Sequence, residues 1–297
     1  MNAREQGFLL LTGWLGDPNR NPLTTAQVRT LAQRVAAAPR NGEERQLECR
    51  DLTAMGYSGE MAERIVALLE DTQLLEHYLR RGYRQDCHAI SRVGEHYPQM
   101  IRGRLGLDAP GCLWYRGEPE LLCKRAVALV GSRDIGKDNL TFAKELGRQA
   151  ARQGYVLVSG NARGADRAAQ DSCLEAGGEV IAVVADELER YTPRAHMLYL
   201  SEDGFDLPFS AQRALSRNRL IHCLGRCTFV AQSGYQRGGT WDGTVKNLRF
   251  GWSPVFCYED GTPASKLLQD MGAEGVSLVD LHDLSALEIL NVGLFDQ

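Results

Sequence analysis

From Ala126 onward, short apolar runs alternate with longer amphipathic ones, and that alternation leaves few folds open to the chain. Residues 126–130, 155–158, 180–184, 227–231 and 254–257 read as buried strands. Between them, helices are expected near 138–153, from the loop at 159–166 to about 176, and over 212–223, 241–250 and 264–271. A longer loop containing Pro and Tyr fills the space between 184 and 212. Strands separated in this way by helices form a parallel sheet covered on both faces. Right-handed crossovers then gather the strand-to-helix loops along one edge, where ligands of such sheets bind. The expectation is an α/β chain: an extended Rossmann-like parallel sheet over 80–297, preceded by a small helical module over 1–79. In that module Thr24 and Thr25 open a helix stopped by Pro39, and 50–55 and 60–69 carry apolar residues at helical spacing around a break at 56–59.

A chain of 297 residues with 43% hydrophobic content can bury a sizeable core, and only 10 prolines beside 31 glycines exclude a collagen or disordered chain. No apolar run approaches the roughly 18 residues of a membrane span, and the N-terminus lacks the basic region of a signal peptide. A cytoplasmic protein is expected, with no membrane partner. Its eight cysteines form no CxxC pair, and His222, Cys223 and Cys227 cluster without a second set of ligands. They read as small hydrophobes, so neither a metal nor a cofactor is expected.

The net charge of −4 argues weakly against nucleic acid, but its distribution argues the other way. Acids dominate 43–76 and the stretch from 257 to the end. Between 207 and 241 stand Arg213, Arg217, Arg219, Arg226 and Arg237 without one Asp or Glu. Such an island is a candidate anion surface, unless these arginines pair with acids from elsewhere in the fold.

Three glycine-bearing loops follow expected strands. Gly131-Ser132-Arg133 offers a tight turn, a hydroxyl and a guanidinium. Ser159-Gly160-Asn161-Ala162-Arg163-Gly164-Ala165-Asp166 is small enough for backbone N–H groups to approach a phosphate at a helix start. There Asp166 reads as a helix cap or first-turn acid, with catalysis as the alternative. The third loop, Gly234 to Thr240, supplies Arg237, Gly238, Gly239 and Thr240. None is GxGxxG or a Walker loop, so the usual dinucleotide and nucleotide-triphosphate signatures are absent. Ser216-Arg217-Asn218-Arg219 adds two phosphate forks around an amide able to read a base edge. Phe209, Tyr235 and Trp241 are stacking candidates, Trp241 being equally suited to a helix core.

Taken together, Tyr97-Pro98, Gly131-Ser132-Arg133, the pattern Ser159-Gly-x-Ala-x-Gly-x-Asp166, Gly177-Gly178 and Arg217-Asn218-Arg219-x-Ile221 resemble the DNA-processing protein A (DprA/Smf) family over roughly 75–260. The resemblance implies a non-catalytic binder of single-stranded DNA, usually a homodimer, that protects incoming strands and delivers them to a RecA-type recombinase in natural transformation or recombination. It also implies that Gly131, Ser132 and Arg133 line the strand pocket and that Arg163, Gly164, Arg217, Asn218 and Arg219 complete it. Ser159, Gly160, Gly238, Gly239 and Thr240 join them as candidate phosphate-binding positions.

The chain departs from that pattern at Ala231-Gln232-Ser233-Gly234, where the family commonly has Glu-Ala before a Ser-Gly loop, and at the following Arg237-Gly-Gly-Thr-Trp241. It also reaches Gln297 without room for the winged-helix-like domain many members carry. These departures support an alternative, a nucleotide sensor or nucleotide N-glycosidase-like enzyme in defence or a mobile element. Gly238-Gly239-Thr240 resembles the Gly-Gly-x-Gly-Thr loop of cytokinin-activating phosphoribohydrolases, but their catalytic Glu is missing. Asp242 and Asp166 are the carboxylates left for such a role.

Overall fold

A computed structural model describes residues 1–38, 46–202 and 204–289. Nine strands form one mixed sheet: β1 (His88–Ser91), β2 (Cys112–Gly117), β3 (Ala126–Val130), β4 (Val156–Ser159), β5 (Glu179–Val183), β6 (Met197–Glu202), β7 (Thr228–Val230), β8 (Val255–Tyr258) and β9 (Glu274–Val276). Their order is β1-β2-β6-β5-β4-β3-β7-β8-β9. From β6 to β9 every pairing is parallel, as the alternation predicts. The antiparallel extension β1-β2, joined to β6, was not foreseen. Nor was β6 itself, which lies inside the stretch expected to be a loop and is buried along its whole length.

Strand alternation assigns side chains to two layers. Val127 and Leu129 of β3 face the layer of helices Lys137–Arg152 and Ala165–Glu175, with Phe142, Leu146 and Ala169 beneath them. Ala128 and Val130 face the opposite layer, where helix Ala211–Leu224 places Leu220, Ile221 and Leu224. Fully buried on both sides, β3 has the continuous apolar sequence such a strand requires.

At the N-terminus, Thr24 caps helix Thr25–Ala37 in a capping box with Gln27. Pro39, its expected stop, lies outside the described residues. Helices Cys49–Ala54 and Gly59–Glu70 flank the expected break, where Gly56 takes a positive φ and Ser58 caps the second helix. Helix Thr72–Arg84 runs through the boundary drawn at 79, and its Leu75 and Tyr78 join the sheet's own core. Cys87, Cys112, Cys173, Cys223, Cys227 and Cys257 are buried. Among the described residues no helix is long and apolar enough to cross a membrane.

The sheet reverses its order at β3. The chain moves from β3 to β4 on one side, and its later strand β7 docks on the other. Open α/β sheets bind ligands outside the carboxyl ends at such a switch point. The three glycine loops follow β3, β4 and β7, which are neighbours, so the topology brings all of them there.

Candidate anion-binding cleft

A cleft of about 1020 Å³ opens at this point, lined by Gly131, Ser132, Arg133, Asp166, Phe209, Arg217, Asn218, Arg237, Gly238, Gly239, Thr240 and Asp242, among others. Its walls interlock through small residues. A Cβ on Gly131 would collide with Ala165, and one on Gly164, which already holds φ +88°, would collide with the Ser132 and Arg133 carbonyls. The Ala165 N–H donates to the Ser132 carbonyl at 3.2 Å. From the third loop, the Thr240 hydroxyl donates to the Gly131 carbonyl at 3.0 Å. The Asn218 amide donates to the Gly239 carbonyl at 3.1 Å, tying helix Ala211–Leu224 to the same wall. Four segments separated in sequence thus form one rigid frame.

Arg217 lies at its floor, 7% exposed, with its guanidinium directly over Gly160. Neither Nε nor Nη1 has a hydrogen-bond acceptor among the described residues. Burial lowers its pKa, an effect opposed first by the charge of Asp166. A buried donor without an acceptor is costly, and Arg217 leaves two such donors on one guanidinium among the residues that line the cleft. Arg133 and Arg237 stand exposed at the rim, with no ion pair among the described residues. Phe209 is 56% exposed beside them. Tyr235 is exposed too, whereas Trp241 is half-buried and packs on the core, as its helical alternative required.

Several expected anion ligands are committed elsewhere. The Gly160 and Ala162 N–H groups, expected to approach a phosphate, donate to the Asp166 carboxylate at 3.1 and 3.2 Å. Asp166 therefore organises its loop from inside. Burial pushes its pKa up to about 6, against the opposing effects of Arg217, the two amides and Arg133. Ser159 is buried and accepts from the Gln170 amide at 2.6 Å. Arg163 points to solvent and pairs with Asp134 at 3.2 Å.

Arg219, two residues from Arg217, faces away from it, as i and i+2 must on a helix. It pairs with the buried Glu202 at 2.7 Å and donates to the Asp108 carbonyl at 2.5 Å, so it does not share the cleft with Arg217. Asp242 sits on the rim in an ion pair with Lys246 at 2.8 Å. The arginine island separates in the same way. Arg213 donates to the Ala185 and Leu207 carbonyls, and Arg226 lies 3.6 Å from Glu288, leaving Arg217 and Arg237 to the cleft. Asp134 and Gln232 also line it but belong to no motif. Gln232 accepts from the Gly136 N–H at 2.7 Å, a long-range contact with no local sequence signal.

Residues 88–245 match the family described as DNA recombination-mediator protein A. The chain is 34% identical to DNA processing protein DprA of Streptococcus pneumoniae over 44% of its own length and 50% of that protein's. It is 29% identical to Protein Smf of Escherichia coli over 51% of its length and 43% of that protein's. It thus spans about half the length of these curated relatives. Among solved structures, DprA from Streptococcus pneumoniae superposes with a TM-score of 0.71 at 24% identity, covering 98% of both chains. DNA processing protein A from Helicobacter pylori, solved for its single-stranded DNA binding mode, superposes with a TM-score of 0.57 at 21% identity, over 68% of this chain and 96% of that one. These likenesses are ones of fold. With the glycine loops, the Arg-Asn-Arg helix and more than half of the sequence matching one family, the chain belongs to the DNA recombination-mediator protein A family.

Proposed function

We propose that the protein binds single-stranded DNA at this cleft and does not cleave it. The observation that carries the reading is Arg217, a buried guanidinium without acceptors for Nε and Nη1 among the described residues, in a cleft also lined by Arg133, Arg237 and the exposed ring of Phe209. Guanidinium forks hold phosphates, and an exposed ring stacks a base irrespective of its identity. Of the described acids lining the cleft, Asp166 holds two amides, and Asp134 and Asp242 lie at the rim, paired with Arg163 and Lys246. That arrangement favours binding over N-glycosidic cleavage.

We extend the proposal, on the family resemblance, to protection of strands during DNA uptake or recombination, a homodimer, a RecA-type recombinase as partner and a cytoplasmic setting. In a salt-titrated anisotropy measurement with oligo-dT, binding is expected at low salt and weakens steeply as salt rises. Arg217→Ala should reduce affinity about tenfold or more while the fold is retained. Wild-type protein that fails to bind at low salt, or Arg217→Ala that binds as wild type does, overturns the reading.

A further inference from the structure

We infer that Asp166 tunes which phosphate the cleft accepts, offsetting the advantage that the double charge of a phosphomonoester would otherwise hold over the single charge of a phosphodiester. The inference rests on the strand-binding reading and deepens it, because it separates the interior of a DNA strand from a free nucleotide at the same site.

The cleft holds three acids, and they are not equivalent. Asp134 and Asp242 lie at the rim, paired with Arg163 and Lys246, where solvent screens them. Asp166 is only 6% exposed and lies within the floor. Its carboxylate accepts the N–H groups of Gly160 and Ala162, directly under the place where the Arg217 guanidinium lies over Gly160. An anion that reaches Nε and Nη1 of Arg217 therefore approaches a buried negative charge that water does not screen.

The groups facing this pair from each neighbouring element are few. Arg217 comes from helix Ala211–Leu224 and Arg133 from the loop after β3, and both favour the ionised carboxylate. Tyr191 and Asp186, from the segment after β5, also act on Arg217, both favouring its charged form, and the Tyr191 hydroxyl donates to Asp186 at 2.7 Å. The floor thus sets one buried guanidinium against one buried carboxylate. Coulomb repulsion from Asp166 grows with the charge of the ligand, so a dianion is penalised twice as strongly in free energy as a monoanion. A phosphomonoester carries close to two charges above its second pKa of about 6, whereas a phosphodiester keeps one. Burial places the Asp166 pKa at about 6 as well, so the penalty applies at neutral pH and fades in mild acid.

The test compares thymidine 5′-monophosphate with its methyl ester at pH 8, beside oligo-dT lacking terminal phosphates, on wild type and Asp166→Asn. Wild type is expected to gain less from the second charge of the monophosphate than the variant does. The variant should gain about tenfold for the monophosphate and about threefold for the ester, shifting the ratio of the two affinities toward the monophosphate. Without any variant, lowering the pH from 8 to 5.5 should strengthen wild-type binding of the ester, whose own charge stays fixed. Equal gains for both ligands, or an ester affinity in wild type that is indifferent to pH, overturn the inference. If wild type binds oligo-dT and these signatures are absent, charge selection fails and strand binding stands. If oligo-dT itself does not bind at low salt, the underlying reading fails.

Discussion

Gly160 has no room for a side chain because the Arg217 guanidinium occupies the volume a Cβ would take. Its φ is not positive, so the requirement is one of space rather than backbone conformation. Gly160→Ala should therefore displace Arg217 from the floor. It is expected to cost about 1–3 kcal/mol of stability through overpacking, and to weaken oligo-dT binding nearly as much as Arg217→Ala does. Chemical denaturation and anisotropy on the same preparation check both; an alanine variant with wild-type affinity would show that Arg217 is not where binding occurs. The sequence pattern gave Gly131 a tight turn and the loop holding Gly160 and Gly164 a close approach of backbone to a phosphate, whereas each glycine makes room for another part of the chain. What each approached was not legible. Asp166 matched the pattern of a helix-start acid, but that it takes the Gly160 and Ala162 amides depends on the path of its loop.

Helix Ala211–Leu224 is the element on which the site depends most, because it has two chemically different edges. One carries Arg217 and Asn218 into the cleft. Another carries Arg219 to Glu202, whose side chain is 3% exposed at the end of β6. At its C-terminus Arg104 donates to the Cys223 and Gly225 carbonyls at 3.0 and 2.5 Å, satisfying acceptors the helix leaves open. The helix and its arginines were visible as an acid-free stretch, but their division was not. It depends on β6, a short segment whose burial comes from pairing with β5 and β2. The apolar run Met197-Leu198-Tyr199-Leu200 is the local mark of this strand, but it lies inside the stretch read as a loop, so the partner of Arg219 was hidden with it. The two edges predict opposite phenotypes. Arg219→Ala leaves Glu202 buried without this cation and should cost about 2 kcal/mol, the side chain being partly solvated. Folded protein should still bind oligo-dT as wild type does. A lowered denaturation midpoint with unchanged affinity is the expected result, and lost affinity at full folding would return Arg219 to the binding surface.

At the scale of the whole molecule, two buried groups on either side of the sheet's switch point make opposite demands on the pH dependence of stability. His222, fully buried and hydrogen-bonded to Thr228 and Asn247, has its pKa lowered by burial to about 3. The native state then binds fewer protons than the unfolded chain, where the value is about 6.5, so stability falls as pH drops from 6.5 towards 3. Asp166 has its pKa raised, from 3.8 to about 6, so the native state binds more protons in that window. Its contribution is unfavourable above pH 6, by about 3 kcal/mol, and is relieved as pH drops towards 4. Each slope is about 1.4 kcal/mol per pH unit, so between pH 6 and 4 the two cancel. Wild type should show a shallow dependence there. Asp166→Asn removes the compensating group: the variant should be more stable than wild type at pH 7 and lose that advantage as pH falls to 4. Urea midpoints at pH 7, 6, 5 and 4 decide the matter, and parallel curves for the two proteins would show that Asp166 does not titrate in this range. A variant that is more stable at pH 7 and loses the advantage by pH 4 would show that the ionised Asp166 costs folding stability at the pH where it tunes the cleft, the trade expected when a buried charge is kept for binding rather than for folding.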